Sequence, residues 1–317
     1  METGRRPVRL ILATLVAVLA ASATLDVYAH GQTQPVPTPT PTPTPSAAAT
    51  PIPASPAAAV ATRTAAALAA TIEELVGASS ASVGMTLVEL GGSRPLSWSL
   101  DGGTSFSAAS TYKLAALMLE AQNIAAGGID PNGLLYYQAA DYEDGWYADY
   151  SDGAAFTRAT IAARAGQQSD NTAGHMLVRD VGGATVLNAW SAAVGTAGSS
   201  FFDGNTTTSD DLAVLWVAEA EGKLGGAAAQ AWLYPLLTRT AYETGIPAGV
   251  PAGITVVHKT GAVDLTENDA ALILGATSGP YVLTVLTDGL DESAGPALVA
   301  GISKAVWQFE AARLVAA

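Results

Sequence analysis

Hydrophobic and polar positions fall into two regimes along this chain. Residues 61–76 repeat apolar positions at helical spacing, whereas 82–90 and 96–100 are short strand-like runs joined through Gly91-Gly92. A long alanine-rich middle, about 107–245, carries several helical stretches. The end returns to strands at 255–258, 270–276 and 281–287, and closes on a helical stretch at 296–314. Strands at both ends with helices between them predict an α/β chain of the α+β type. Its antiparallel sheet is assembled from the two termini, with flanking helices and an all-helical subdomain beside it.

The first sixty residues follow neither pattern. Arg5, Arg6 and Arg9 precede an apolar stretch from Leu10 to Ala21, and small residues follow, so residues 1–29 read as an export signal. Cleavage fits after Ala21-Ser22-Ala23 or after Val27-Tyr28-Ala29, and a retained N-terminal anchor is the minority reading. Residues 30–59 form a linker in which proline and threonine alternate from Pro37 to Pro45. Such a run stays extended as polyproline II and acts as a semi-rigid spacer, suited to tethering through a cell envelope. The expected organisation is signal 1–29, linker 30–59 and one folded domain over 60–317, in an exported protein that is periplasmic, envelope-bound or extracellular.

Composition removes several chemistries. The chain of 317 residues has a formal net charge of −14, which repels phosphate and argues against nucleic-acid partners. It has no cysteine, hence no disulfide, thiol nucleophile or thiolate-held metal. Of three histidines, His30 lies in the segment before the domain, so a three-histidine metal site is not expected, nor any cofactor. Lysine is scarce: only Lys113, Lys223, Lys259 and Lys304 occur.

Two of those four lysines lie in short motifs. In Phe106-Ser107-Ala108-Ala109-Ser110-Thr111-Tyr112-Lys113, the serine and lysine three apart share one face at the start of an apolar helix. Burial there lowers the lysine's pKa, so a neutral amine can take the serine's proton. Taken singly, Ser-x-x-Lys also describes a capping serine and a solvated lysine. Ser169-Asp170-Asn171 reads equally as a helix N-cap. Lys259-Thr260-Gly261, after 254–258, ends an edge strand with a cation, a hydroxyl and a glycine that admits close approach of a ligand. His175 reads as a packed, half-buried histidine, and His258 should point to the face opposite Lys259.

The ordered set Ser-x-x-Lys, Ser-Asp-Asn, Lys-Thr-Gly, on a helix, a turn and a strand, resembles class A β-lactamases and penicillin-binding proteins. The likeness runs from about Val83 to the C-terminus and includes Thr206-Thr207-Thr208, Gly249-Val250-Pro251-Ala252-Gly253 and Glu267-Asn268-Asp269-Ala270. It implies that Ser110 attacks a β-lactam or peptide carbonyl while Lys113 helps remove its proton, and that Ser169 relays a proton to the leaving nitrogen. It implies too that Asn171 positions the substrate amide, that Lys259, Thr260 and Gly261 hold its carboxylate, and that the backbone amides of Ser110 and Ala262 form the oxyanion hole. Trp146 or Tyr147 would supply an aromatic wall. The expected partner is a β-lactam or a D-Ala-D-Ala-like peptide, the expected state a monomer.

One element of that resemblance is missing. Class A β-lactamases carry a Glu-x-x-Leu-Asn loop whose glutamate activates the deacylating water, yet no glutamate occurs from Val181 to Ala218. The stretch 195–205 is short and rich in glycine and serine, and Asp203 reads as a turn former. No arginine follows Gly261 on its strand either. Acylation looks complete and deacylation slow, unless a carboxylate such as Asp203 or Glu143 is recruited from an unusual position. Rival roles are a D-alanyl-D-alanine peptidase and a non-catalytic module that binds wall fragments or β-lactams.

Overall fold

The computed structural model describes residues 65–91, 95–143, 146–276 and 278–313. The expected signal and linker, 1–29 and 30–59, lie outside these residues, as does the start of the first predicted helix. Helix α1 (Ala65–Gly77) leads into β1 (Ser82–Glu89) and β2 (Ser97–Leu100). The short strand β3 (Phe106–Ser107) and a 3-10 turn at Ala109–Thr111 precede α2 (Tyr112–Ala125). The hairpin β4 (Leu134–Tyr136) and β5 (Ala155–Thr157) brackets a long excursion, then α3 (Arg158–Gln167), α4 (Asn171–Asp180) and α5 (Gly183–Val194) follow. After β6 (Thr206–Thr207) come α6 (Ser209–Ala220) and α7 (Gly226–Leu233). The chain closes with β7 (Thr255–Val263), β8 (Thr266–Leu274), β9 (Tyr281–Asp288) and α8 (Ala294–Arg313).

Five strands form one sheet in the order β2-β1-β9-β8-β7, every neighbouring pair antiparallel. β1 pairs with β9 from Ser82 opposite Asp288 to Glu89 opposite Tyr281, so the sheet is built from the two chain ends, as the pattern predicts. β9 and the second half of β8, from Ala270, are largely apolar, and both strands are buried along nearly their whole length, which marks central strands. On one face, Leu68 and Ile72 of α1 and Val299, Ile302, Val306 and Phe309 of α8 pack against Met85, Leu87, Leu283 and Val285. On the other, Leu212, Leu215 and Trp216 of α6 join Leu114, Leu117 and Met118 of α2 in a second core, which continues into the helical part through Ile161, Met176 and Leu187. Among the described residues no helix is long and apolar enough to cross a membrane.

Two departures bear on the site. β7 does not end at His258 but continues to Val263, so Lys259, Thr260 and Gly261 lie within an edge strand rather than at its end. This strand packs on the turn that carries Ser110: a Cβ at Gly261 would stand 2.8 Å from the Ala108 carbonyl oxygen. Only glycine permits that approach. In the helical part, Arg158 is buried and pairs with Glu120 of α2 at 3.0 Å and with Asp180 of α4, tying three helices together.

Behind β7, His258 sits fully buried between two acids. Its Nδ1 lies 2.9 Å from Asp269 Oδ1 and its Nε2 3.1 Å from Glu243 Oε1. Asp269 also accepts from the amide of Ile246 at 2.8 Å, which pins the segment preceding β7. Desolvation disfavours the imidazolium, but Asp269 and Glu243 outweigh it and lift its pKa to about 9. Since the unfolded value lies lower, near 6.5, this stabilisation is full below about pH 6.5 and is lost as pH rises through about 9. His258→Ala leaves Asp269 buried without its cation and is expected to cost about 3–5 kcal/mol. Urea unfolding at pH 6 and pH 9.5 checks this: the gap between wild type and variant should narrow at the higher pH.

Candidate active site

Ser110 sits at the junction of the sheet and the helical part, in the 3-10 turn that runs directly into α2. The preceding residue, Ala109, has φ 44°, a left-handed conformation unusual for a residue with a side chain. Three contacts hold that turn in place. Ala108 N donates to the Asn205 carbonyl at 2.7 Å, Asn205 Nδ2 donates to the Ala109 carbonyl at 3.0 Å, and Asn268 Nδ2 donates to the Ser107 carbonyl at 2.8 Å. Neighbouring structure over-determines the strained turn, the condition under which such backbone persists at reactive positions.

One helical turn on, Lys113 is completely buried, and its Nζ lies 2.9 Å from Ser110 Oγ. It donates to the Ser169 carbonyl at 2.7 Å and to Asn171 Oδ1 at 2.6 Å. Both of those partners are acceptors only, so a neutral amine satisfies them with its two protons. Its lone pair then faces the Ser110 hydroxyl. Burial lowers the Lys113 pKa to about 7, opposed by the charges of Glu143 and Asp170. The spacing of Ser-x-x-Lys therefore produces the expected contact, and the fold supplies the burial. Gly174, in the facing helix, makes room: a Cβ there would meet Lys113 Cε at 2.6 Å.

Ser-Asp-Asn divides its labour. Asp170 is the fully buried N-cap of α4, accepting from Ala173 N at 2.7 Å, so the capping reading holds for this residue. It also accepts from Tyr150 Oη at 2.7 Å and Trp146 N at 3.1 Å, anchoring the excursion between β4 and β5. Ser169, at φ 59°, turns its hydroxyl the other way, between Lys113 (3.4 Å) and Lys259 (2.9 Å). Lys259 is 1% exposed and donates to the Thr260 carbonyl at 2.8 Å. Desolvation first, then the nearby Lys113, hold its pKa well below the usual ammonium range. Among the described residues neither lysine has a carboxylate within ion-pair distance, so an anionic ligand here would supply the missing counter-charge and favour the ammonium form of Lys259.

Ser110, Lys113, Ser169, Asn171 and Lys259 are thus linked by hydrogen bonds in one constellation, and Thr260, Gly261 and Ala262 follow on the same strand. His258 faces away from Lys259, as alternation along the strand requires. Of the two aromatic candidates, Trp146 makes an edge contact with Tyr242 at 6.4 Å, while Tyr147 stacks on the Arg164 guanidinium at 3.8 Å. Arg164 is paired with Asp149, so Tyr147 belongs to the scaffold of this excursion.

The short segment before Thr206 folds as a tight hairpin, with Ser200 bridged to Thr206. Asp203 lies exposed at its tip, where its carbonyl accepts from Ser200 Oγ at 2.6 Å. The hairpin contributes Asn205 to the nucleophile's turn and sets Phe202 edge-on to Tyr112 and to His175, at 5.5 and 5.0 Å. Sequence reading misses Asn205 and leaves Glu143 as a bare alternative. Glu143 is instead part of the network: its Oε1 accepts from Asn171 Nδ2 at 2.8 Å, and its Oε2 lies 2.9 Å from His175 Nε2. A signal existed, because His175 follows Asn171 by four residues and so shares its helix face.

The fold and family can be compared with known proteins. Residues 67–309 match the model of the beta-lactamase enzyme family. The solved structure of PBP-A superposes with a TM-score of 0.70 at 25% identity, over 76% of this chain and 94% of that one. A β-lactamase from Sphaerobacter thermophilus DSM 20745 gives 0.68 at 27% identity, over 77% and 96%. A mutant of PBP-A, solved as an acyl-enzyme complex with penicillin G, matches with a TM-score of 0.70 at 25% identity, over 77% and 96%. No curated protein matches the chain. With the three motifs gathered around one serine and the family model spanning nearly the whole described fold, the chain belongs to the beta-lactamase enzyme family.

Proposed function

We propose that this protein is a β-lactam-reactive serine hydrolase of class A type that forms its acyl-enzyme on Ser110. The observation that carries the reading is the 2.9 Å contact between Ser110 Oγ and a fully buried Lys113 whose remaining partners suit a neutral amine. In acylation Lys113 takes the Ser110 proton as Oγ attacks the lactam carbonyl. Ser169, hydrogen-bonded to Lys259 and close to Lys113, passes a proton to the departing nitrogen. The Lys259 ammonium, with Thr260 and Gly261, takes the ligand carboxylate. The amides of Ser110 and Ala262 face the developing oxyanion. The penicillin G complex of the PBP-A mutant supports a β-lactam as ligand. The absent Glu-x-x-Leu-Asn loop supports slow clearance of the acyl group.

Intact mass after incubation with benzylpenicillin, followed over time, tests this. A mass increase of one whole penicillin that decays slowly is the expected trace; no adduct at any time would refute the reading. The compact hairpin with its outward Asp203 also favours a second reading, a D-alanyl-D-alanine peptidase using the same serine. Release of D-alanine from a wall pentapeptide would establish it. The N-terminal features support an exported protein tethered to the envelope through the proline-rich linker.

A further inference from the structure

Hydrolysis of an acyl-serine needs a water and a base on the exposed side of the ester. The neighbouring carboxylates can be weighed in turn. Asp203 is turned out at the hairpin tip. Asp170 is fully buried and accepts from Ala173, Tyr150 and Trp146. Asp211 accepts from the amides of Ala197 and Gly198 and from Ser199 Oγ. Glu143 differs from all three. Its backbone is clamped to the start of α4, its N–H donating to Thr172 Oγ1 at 3.0 Å while that hydroxyl donates to its carbonyl at 2.7 Å. Its carboxylate is half exposed, so water reaches it. A single amide, that of Asn171, joins it to Lys113: Oε1 accepts from Nδ2, and Oδ1 accepts from Lys113 Nζ. His175 holds the second oxygen, and Phe202 packs against the histidine ring.

We propose that Glu143, reached from the excursion between β4 and β5, is the general base that hydrolyses the acyl-enzyme on Ser110. Water resting on the carboxylate attacks the acyl carbonyl carbon and gives its proton to Glu143. The C–Oγ bond then breaks, and the proton that Glu143 took passes by way of the Lys113 amine to Ser110 Oγ. One water is consumed, and Glu143 and Lys113 return to the carboxylate and neutral amine in which they began. The His175 contact, with Lys113 and Asn171, holds the carboxyl below its usual range. Glu143 therefore stays ionised but is a weak base, in keeping with slow rather than absent turnover.

The inference rests on acylation at Ser110, and the test separates the two. Benzylpenicillin adducts of wild type and Glu143→Gln are followed by intact mass. The glutamine can keep contacts to both Asn171 and His175, so acylation is still expected to go to completion. The adduct lifetime should lengthen by about 10²-fold or more, the lower range for loss of a general base. Hydroxylamine, which attacks without a base, should still release the variant's adduct, showing the ester to be accessible. Equal lifetimes in the two proteins would overturn the proposal while leaving acylation at Ser110 intact. No adduct in wild type would overturn both. The pH profile of wild-type deacylation is a second measurement that needs no variant. A rate that holds well below pH 7 fits Glu143, whereas a fall centred on about pH 7 assigns the base to Lys113 and overturns the proposal.

Discussion

Ser110→Ala is expected to abolish covalent labelling by a fluorescent penicillin, with the thermal midpoint shifted by only a few degrees. The reasoning is local. Ser110 is partly exposed, and removing its Oγ breaks one contact, to Lys113, while leaving the turn's anchors at Asn205 and Asn268 untouched. Stability should change little, since a residue of this kind seldom contributes more than about 1 kcal/mol through one hydrogen bond. Chemistry should change completely, because acyl transfer has no alternative atom: among the described residues the hydroxyl nearest the pair of lysines is Ser169, which already spans them. Gel fluorescence after denaturation reads the outcome directly. Labelling that survives in the variant would place the nucleophile elsewhere and dissolve the proposed roles of all the motif residues.

Lys113→Met should produce the next largest loss. Methionine keeps a chain of similar length but offers no base, so the acylation rate should fall by about 10²- to 10⁴-fold, the usual contribution of a positioned proton acceptor. The wild-type pH profile follows from the same group. With its pKa drawn down to about 7, Lys113 is a neutral amine above that pH and an ammonium below it. Acylation should therefore be nearly flat on the alkaline side and drop about tenfold per unit on the acid side. Stopped-flow acylation between pH 5 and 9 checks this. A profile without a limb near 7 would mean that a different group accepts the serine proton. The melting temperature of the variant, recorded alongside, separates loss of the base from loss of the fold. Asn171 Oδ1 and the Ser169 carbonyl both lose a donor in it, a cost of about 1–3 kcal/mol for each buried group left unpaired.

These tests converge on a site built from segments distant in sequence. Lys113, Ser169 and Lys259 meet through contacts spanning up to 90 residues. Their meeting depends on three glycine- or cap-mediated approaches. Gly261 lets β7 lie against the nucleophile's turn, Gly174 lets α4 close on Lys113, and Asp170 fixes the start of α4 so that Ser169 and Asn171 point into the same space. The Arg158 pairs and the His258 cluster sit outside this space and stiffen the parts that frame it.

The sequence by itself determined the fold class and the inventory of reacting groups. Largely apolar runs at 281–287 and 270–276, bounded by turn residues, read as buried strands, and helical periodicity in the alanine-rich middle, about 107–245, read as the inserted helices. Serine and lysine three apart put the two groups on one face locally, while Asn205 and Asn268 hold the serine's turn and Ser169 and Asn171 hold the amine. Strand alternation likewise separated His258 from Lys259. Tertiary structure decided whatever depended on loops that meet. The extension of β7 through Val263 came from pairing with β8, Ala262 opposite Glu267, where Lys-Thr-Gly alone reads as a strand end. The place of Asn205 came from a hairpin closing on the nucleophile's turn. Glu143 entered the network because Asp170 and Thr172 draw the excursion between β4 and β5 onto the start of α4. Periodicity is blind to such a residue: it lies in no helix or strand, and its neighbours are set by long-range hydrogen bonds that only the folded chain creates.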